Sequence, residues 1–185
     1  MDRKIEFLYQ SITDTQATIR AVDVKIGFLF MVAFLPFTLV KDSVDIVLSL
    51  WQSNYFTRML IFIAIMAWLA STINLFLTLM LISNPEPAIH GVKPSGLFFG
   101  GGLFSTKYSY LWLRTRTHSL YTVSEVVEQL PDNELLISEL VYEKMKLTYV
   151  RDVKFFRCRM SAGFMCVWLF LSVAMFLYYQ ACWLG

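Results

Sequence analysis

The side chains able to do acid–base or metal chemistry are few, and their spacing does not suit it. His90 and His118 stand in neither H-E-x-x-H nor another zinc spacing, and each reads as a surface or packed histidine. Cys158, Cys166 and Cys182 form no C-x-x-C pair. Two of them fall in an apolar run and one just before it, so they read as small apolar fillers. Nothing resembles G-x-S-x-G with its partners. The glycine triplet at 100–102 belongs to neither G-x-x-x-x-G-K-[ST] nor G-x-G-x-x-G, so a turn is a better reading of it than a phosphate cradle. An enzyme is not expected, and no metal or catalytic residue is assigned.

Cations offer more. Arg151, Lys154, Arg157 and Arg159 form a basic run, preceded by Lys144 and Lys146. One reading is the basic flank of a membrane span, touching anionic headgroups. The other is an anion site, with Arg151, Lys154, Arg157 and Lys107 holding a phosphate and Tyr108, Tyr110, Phe155 or Phe156 stacking a base. Asp23 and Lys25 stand two residues apart at a membrane edge. On a helix they face different sides, so each is expected to pair with another segment, Asp23 with Arg151 or Arg157.

The elements that must position these residues are mostly apolar. The chain of 185 residues is 57% hydrophobic and 16% charged, where soluble domains run near 45–50% and about 25%. This excludes a disordered chain and a disulfide scaffold, and a net charge of +2 is too weak to suggest nucleic acid as partner. Charges are missing over 26–40, 59–85 and 160–185. At about 1.5 Å per residue, the apolar parts 59–82 and 160–184 exceed the roughly 30 Å of bilayer hydrocarbon. The first run reaches only about 22 Å as a helix and contains Pro36, but Lys25 and Lys41 can snorkel at its ends, so it too is expected to span. The apolar run 44–51 either extends that helix or lies in the interface.

Basic residues set the topology. Four precede the first span, two lie between the first and second, and ten lie between the second and third. The N-terminus and 86–159 are therefore expected in the cytoplasm, with 41–58 and the C-terminus outside. An even number of spans would put 41–58 and 86–159 on one side, against that asymmetry. Trp51, Tyr55, Tyr178, Tyr179 and Trp183 fall where an outer aromatic belt would. The first 25 residues hold no apolar segment of signal-peptide type, and the first span is expected to serve as its own insertion signal.

The expectation is an all-α membrane protein with three transmembrane helices, a small helical cytoplasmic domain and a long C-terminal helix continuing into the last span. Residues 1–25 form an N-terminal cytoplasmic helix with an Ile5, Leu8, Ile12, Ile19 stripe. Residues 26–85 hold two spans and a short outer loop, 86–159 a cytoplasmic sensing region, and 160–185 the third span. Asn84-Pro85-Glu86-Pro87 ends the second span. Residues 95–104 form either a small hairpin or a loop pressed on the membrane. Residues 106–121 read as a helix through Tyr108, Leu111, Leu113 and Leu120. A short helix follows at 122–130, capped by Thr122 or Ser124, and Asp132 or Asn133 caps a helix over about 134–183.

Read in order, the motifs resemble a known family. Ala21-Val22-Asp23-Val24-Lys25 enters a first span, and two apolar segments later comes Pro94-Ser95-Gly96-Leu97-Phe98-Phe99-Gly100, then Ser105-x-x-Tyr108. Last is Leu140-Val141-Tyr142-Glu143-Lys144-Met145-Lys146-Leu147-Thr148-Tyr149-Val150-Arg151, leading into a terminal span. This order, over about residues 5–175, resembles the transmembrane effectors of bacterial Pycsar-type antiphage systems. It departs from them at Ile26, where alanine is usual, and at Gly101-Gly102, where bulkier residues are.

The resemblance implies a defence effector of the bacterial inner membrane. A partner cyclase would make a cyclic pyrimidine mononucleotide or a related cyclic nucleotide on infection. The cytoplasmic region would sense it, and a homo-oligomer would impair the membrane and cause abortive infection. Arg151, Lys154, Arg157, Tyr108 and Lys107 become the ligand candidates, and Asp23, Lys25, Phe98, Phe99 and Gly100 the switch candidates. Membrane lipids are the other partner, with no nucleic acid and no cofactor besides the nucleotide. The rival expectations are a constitutive structural or partner-binding membrane protein, and a small channel. The scarcity of ionisable residues in the spans disfavours the channel.

Overall fold

The structure is a computed structural model and describes residues 3–38, 40–80, 85–89, 104–109, 114–128 and 130–183. Among the described residues, five α-helical segments and one antiparallel strand pair follow in order: α1 (Arg3–Thr38), α2 (Val40–Ser53), α3 (Tyr55–Leu79), β1 (Phe104–Ser109), β2 (Arg114–Ser119), α4 (Val123–Glu128) and α5 (Asn133–Trp183). A single 3-10 turn, Glu86–Ala88, follows α3. Helices α1, α3 and α5 are each long and apolar enough to cross a membrane. Side chains such as Met31, Phe62 and Phe170 point outward from them, and apolar outer faces of this kind suit lipid rather than water.

The chain divides into two compact units. The first comprises Met1–Gln16 and Asn84–Tyr149, the second Ala17–Ser83 and Val150–Gly185. In the first unit, three of the four residues of the expected N-terminal stripe are its core, while Ile19 belongs to the second unit and is only half-buried. Ile5, Leu8 and Ile12 are buried with Leu140 of α5, and Leu136, Ile137 and Leu147 pack around them. Lys144 lies over the Phe7 ring at 5.1 Å, and Glu143, itself buried, pairs with Lys146 one turn on.

The same unit holds the clearest departure from an all-α reading. Residues 106–121, expected as a helix, contain an antiparallel hairpin in which Lys107 pairs with Arg116 and Tyr108 with Thr115. The strand sequences Phe-Ser-Thr-Lys-Tyr-Ser and Arg-Thr-Arg-Thr-His-Ser explain it. Thr115 and Thr117 alternate along β2, and β-branched residues prefer the pleated backbone. Helix resumes at α4, where Thr122 caps as expected. The Glu125 amide donates to the Thr122 hydroxyl at 3.4 Å, and the Thr122 amide donates to the Glu125 carboxylate at 2.7 Å, a reciprocal capping box. Asp132 precedes α5, its carbonyl accepting from the Leu136 amide at 2.8 Å.

In the second unit most of the 41–58 segment, expected as a short outer loop, is helical: α2 runs over Val40–Ser53 and α3 begins at Tyr55. The corner between them is closed by side chains. Asn54 caps α3 by accepting from the Thr57 amide at 2.9 Å, and the Thr57 hydroxyl donates to the Leu50 carbonyl at 2.7 Å. Arg58 donates to the Trp51 carbonyl at 2.7 Å. Val22, Ile26 and Ala33 of α1, Leu75 of α3 and Met165 of α5 form the core. Along α3, Thr57, Ala64, Ser71 and Thr78 are buried at intervals of seven. Small residues on one seam let helix backbones approach closely in a membrane. Pro36 lies inside α1.

Candidate functional site

Three helices of the second unit meet through charged and polar side chains. Arg151, Lys154 and Arg157 recur at intervals of three on α5, and three residues advance a helix by about 300°, so successive positions swing about 60° around its axis. They therefore meet different neighbours. Arg151 takes its own neighbour, Asp152, at 2.8 and 2.9 Å. Lys154 reaches α1, its Nζ 2.6 Å from the Asp23 Oδ1. Arg157 reaches α3 and donates to the Leu77 carbonyl.

The partner of Asp23 is thus Lys154, and the expected pairing with Arg151 or Arg157 is corrected. The Lys154 side chain is 18% exposed and that of Asp23 41%, so the pair is partly shielded from water. Arg157 does a second job. Leu77 lies in the last turn of α3, whose final carbonyls have no partner within the helix and carry the negative end of its dipole. That turn holds no basic residue, so the guanidinium from α5 supplies the cation.

Deeper in the apolar part, Ser71 of α3 and Ser161 of α5 are fully buried against each other. Their hydroxyl oxygens are 2.9 Å apart, and each hydroxyl stands 3.0 Å from the other residue's carbonyl oxygen. Each polar group is satisfied by the other, as burial among apolar side chains requires. Trp68 of α3 donates its indole N–H to the Ala33 carbonyl of α1 at 2.8 Å. Rings of α1 and α3 pack beside it, Phe37 on Trp68 at 5.8 Å and Phe30 on Phe76 at 5.1 Å. Sequence reasoning missed the serine pair. Its signal was a small polar residue in each of two apolar runs, Ser71 in the middle of 59–82 and Ser161 at the start of 160–184.

The other candidates are scattered. Lys25 is exposed on α1. Lys107 and Tyr108 belong to β1, in the other unit from Lys154 and Arg157, and Lys107 stands in register with Arg116. Phe98, Phe99 and Gly100 lie outside the described residues. His118 is exposed at the end of β2, paired in register with Ser105. Among the described residues, no three His, Cys, Asp or Glu side chains gather as a metal site. No family model, no curated protein and no solved structure matches this chain.

Proposed function

We propose that the chain is a ligand-switched effector of the bacterial inner membrane. A cyclic pyrimidine mononucleotide or a related cyclic nucleotide, made by a partner cyclase, activates it as a homo-oligomer. The membrane is impaired, and an infected cell stops before phage spreads. In this reading the protein performs no catalysis, and its N-terminus and residues 86–159 face the cytoplasm, as the basic residues favour.

One observation carries the reading. Lys154 and Arg157, one turn apart on α5, tie that helix to α1 through Asp23 and to α3 through the Leu77 carbonyl. A phosphate offers both cations a better partner than a carbonyl and one as good as a carboxylate. An anion that took both would loosen two helix contacts together. A ligand shifts such an equilibrium by preferring one of the two states, here the untied one. Lys107 and Tyr108 stay ligand candidates by residue type.

The test is expression with an active or an inactivated nucleotide cyclase while membrane potential is followed with a voltage-sensitive dye. Depolarisation only with the active cyclase is expected. A polarised membrane in cells where the nucleotide is bound to the protein would refute the effector reading. The rival, a constitutive structural or partner-binding protein, draws on the fully satisfied Ser71–Ser161 contact, which suits a fixed helix pair. It requires a stable complex with another membrane protein and no nucleotide binding.

A further inference from the structure

Away from the helix ties, the second unit contains a cavity of about 350 Å³, lined from α1 by Leu35 and Pro36, from α2 by residues such as Leu50 and Val47, and from α5 by residues such as Trp168 and Ser172. We propose that it holds one acyl chain of a membrane phospholipid. This goes beyond the effector reading and does not depend on it.

The chemistry of the lining comes first. It contains no charged residue, and Ser172 is its one hydroxyl. Water entering it would find too few hydrogen-bond partners, and apolar cavities of this kind stay dry. The volume is more than twice the roughly 150 Å³ that accepts benzene in an apolar protein interior. It also falls inside the range of about 300–1,000 Å³ typical of ligand sites.

The setting selects the occupant. Two walls come from α1 and α5, both long and apolar enough to cross a membrane, so the medium around them at that depth is hydrocarbon. The third wall, α2, has two faces. Lys41, Asp45 and Ser49 recur at intervals of four on one, and Ile46 and Leu50 at the same interval on the other, which lines the cavity. A short helix of this pattern lies in the headgroup layer with its apolar face down. A phospholipid headgroup can then share the layer of the α2 polar face while its chain descends along Leu50, Trp168 and Ser172. A chain there restores the dispersion contacts that an empty space would deny the lining.

The full chain is reconstituted in vesicles of phosphatidylethanolamine and phosphatidylglycerol and re-extracted in dodecyl maltoside. Bound lipid is counted by phosphorus assay and native mass spectrometry. The wild type is expected to retain stoichiometric phospholipid. Ser172→Phe and Val47→Phe, which fill the cavity from different walls, are each expected to retain several-fold less with helicity unchanged. Phe170→Leu, on an outward face, is expected to retain as much as the wild type. Wild-type protein free of phospholipid overturns the proposal. So does a cavity that takes only the detergent chain, or full retention by both filling variants.

Discussion

Replacing Ser71 by leucine separates a packed bundle from three helices that merely share a bilayer. Ser71 has no exposed surface, and its hydroxyl takes part in two of the three contacts that join it to Ser161. Hydrogen bonds between membrane helices average about 0.6 kcal/mol and reach about 1.7. Losing two of them costs about 1–2 kcal/mol. Leucine adds two heavy atoms where Ser161 already touches, and overpacking of that kind costs another 1–3 kcal/mol or so. The expected loss is therefore roughly 2–5 kcal/mol. The sign is what decides. Leucine makes α3 more apolar, so a helix standing alone in lipid would be held better. Titration from mild to denaturing detergent, followed by helicity and tryptophan fluorescence, should place the midpoint well below wild type. Ser71→Ala should fall between the two. A Ser71→Leu variant as stable as wild type, or more so, would refute the α3–α5 contact.

The Asp23–Lys154 tie should show a coupling of about 1 kcal/mol in a cycle of Asp23→Asn, Lys154→Met and the double variant, since the carboxylate is partly solvated. Zero coupling in the same detergent titration would remove it as a tie. Asn54→Ala should cost about 1 kcal/mol by uncapping α3, with Asn54→Asp close to neutral. The amide and hydroxyl of Thr122 hold the Glu125 carboxyl below its ordinary range. A lowered folded-state value means that the cap stabilises α4 above the ordinary carboxylate range and is lost as pH falls through the folded value. Protection factors at Glu125 and Val126, with exchange normalised to its intrinsic rate at each pH, should fall on acidification, and Thr122→Val should move the Glu125 titration upward by NMR.

The long elements were legible because length and punctuation suffice for them. No glycine or proline stands between Asp132 and Gly163, and α5 runs from Asn133 to Trp183 as one helix. The Ile5, Leu8, Ile12 stripe gave a buried face before any partner was known, and Leu140 is what it buries against. The hairpin was missed because Tyr108, Leu111, Leu113 and Leu120 satisfy a loose helical spacing, while the evidence for strands lay in the polar Thr alternation between them. In α2, the apolar run 44–51 is helical where a short outer loop had been drawn around it.

The cations of α5 were legible as a group, and their partners were not. Which of Arg151, Lys154 and Arg157 faces Asp23 depends on the rotation of α5 against α1, and a rotation of about 60° separates one candidate from the next. Only tertiary packing fixes that angle. The Ser71–Ser161 pair is hidden for the same reason, since 90 residues separate its members.

At the centre lies a competition for two cations, an anion against Asp23 for Lys154 and against the Leu77 carbonyl for Arg157. Purified protein in dye-loaded vesicles, titrated with a cyclic pyrimidine mononucleotide, measures it. Wild type should release dye only with nucleotide. Asp23→Asn keeps both cations and removes the charged competitor for Lys154, so its dose–response should shift to roughly fivefold lower nucleotide, the equivalent of about 1 kcal/mol. Vesicles that stay sealed at saturating nucleotide, or an Asp23→Asn curve that moves to higher concentration, would contradict it.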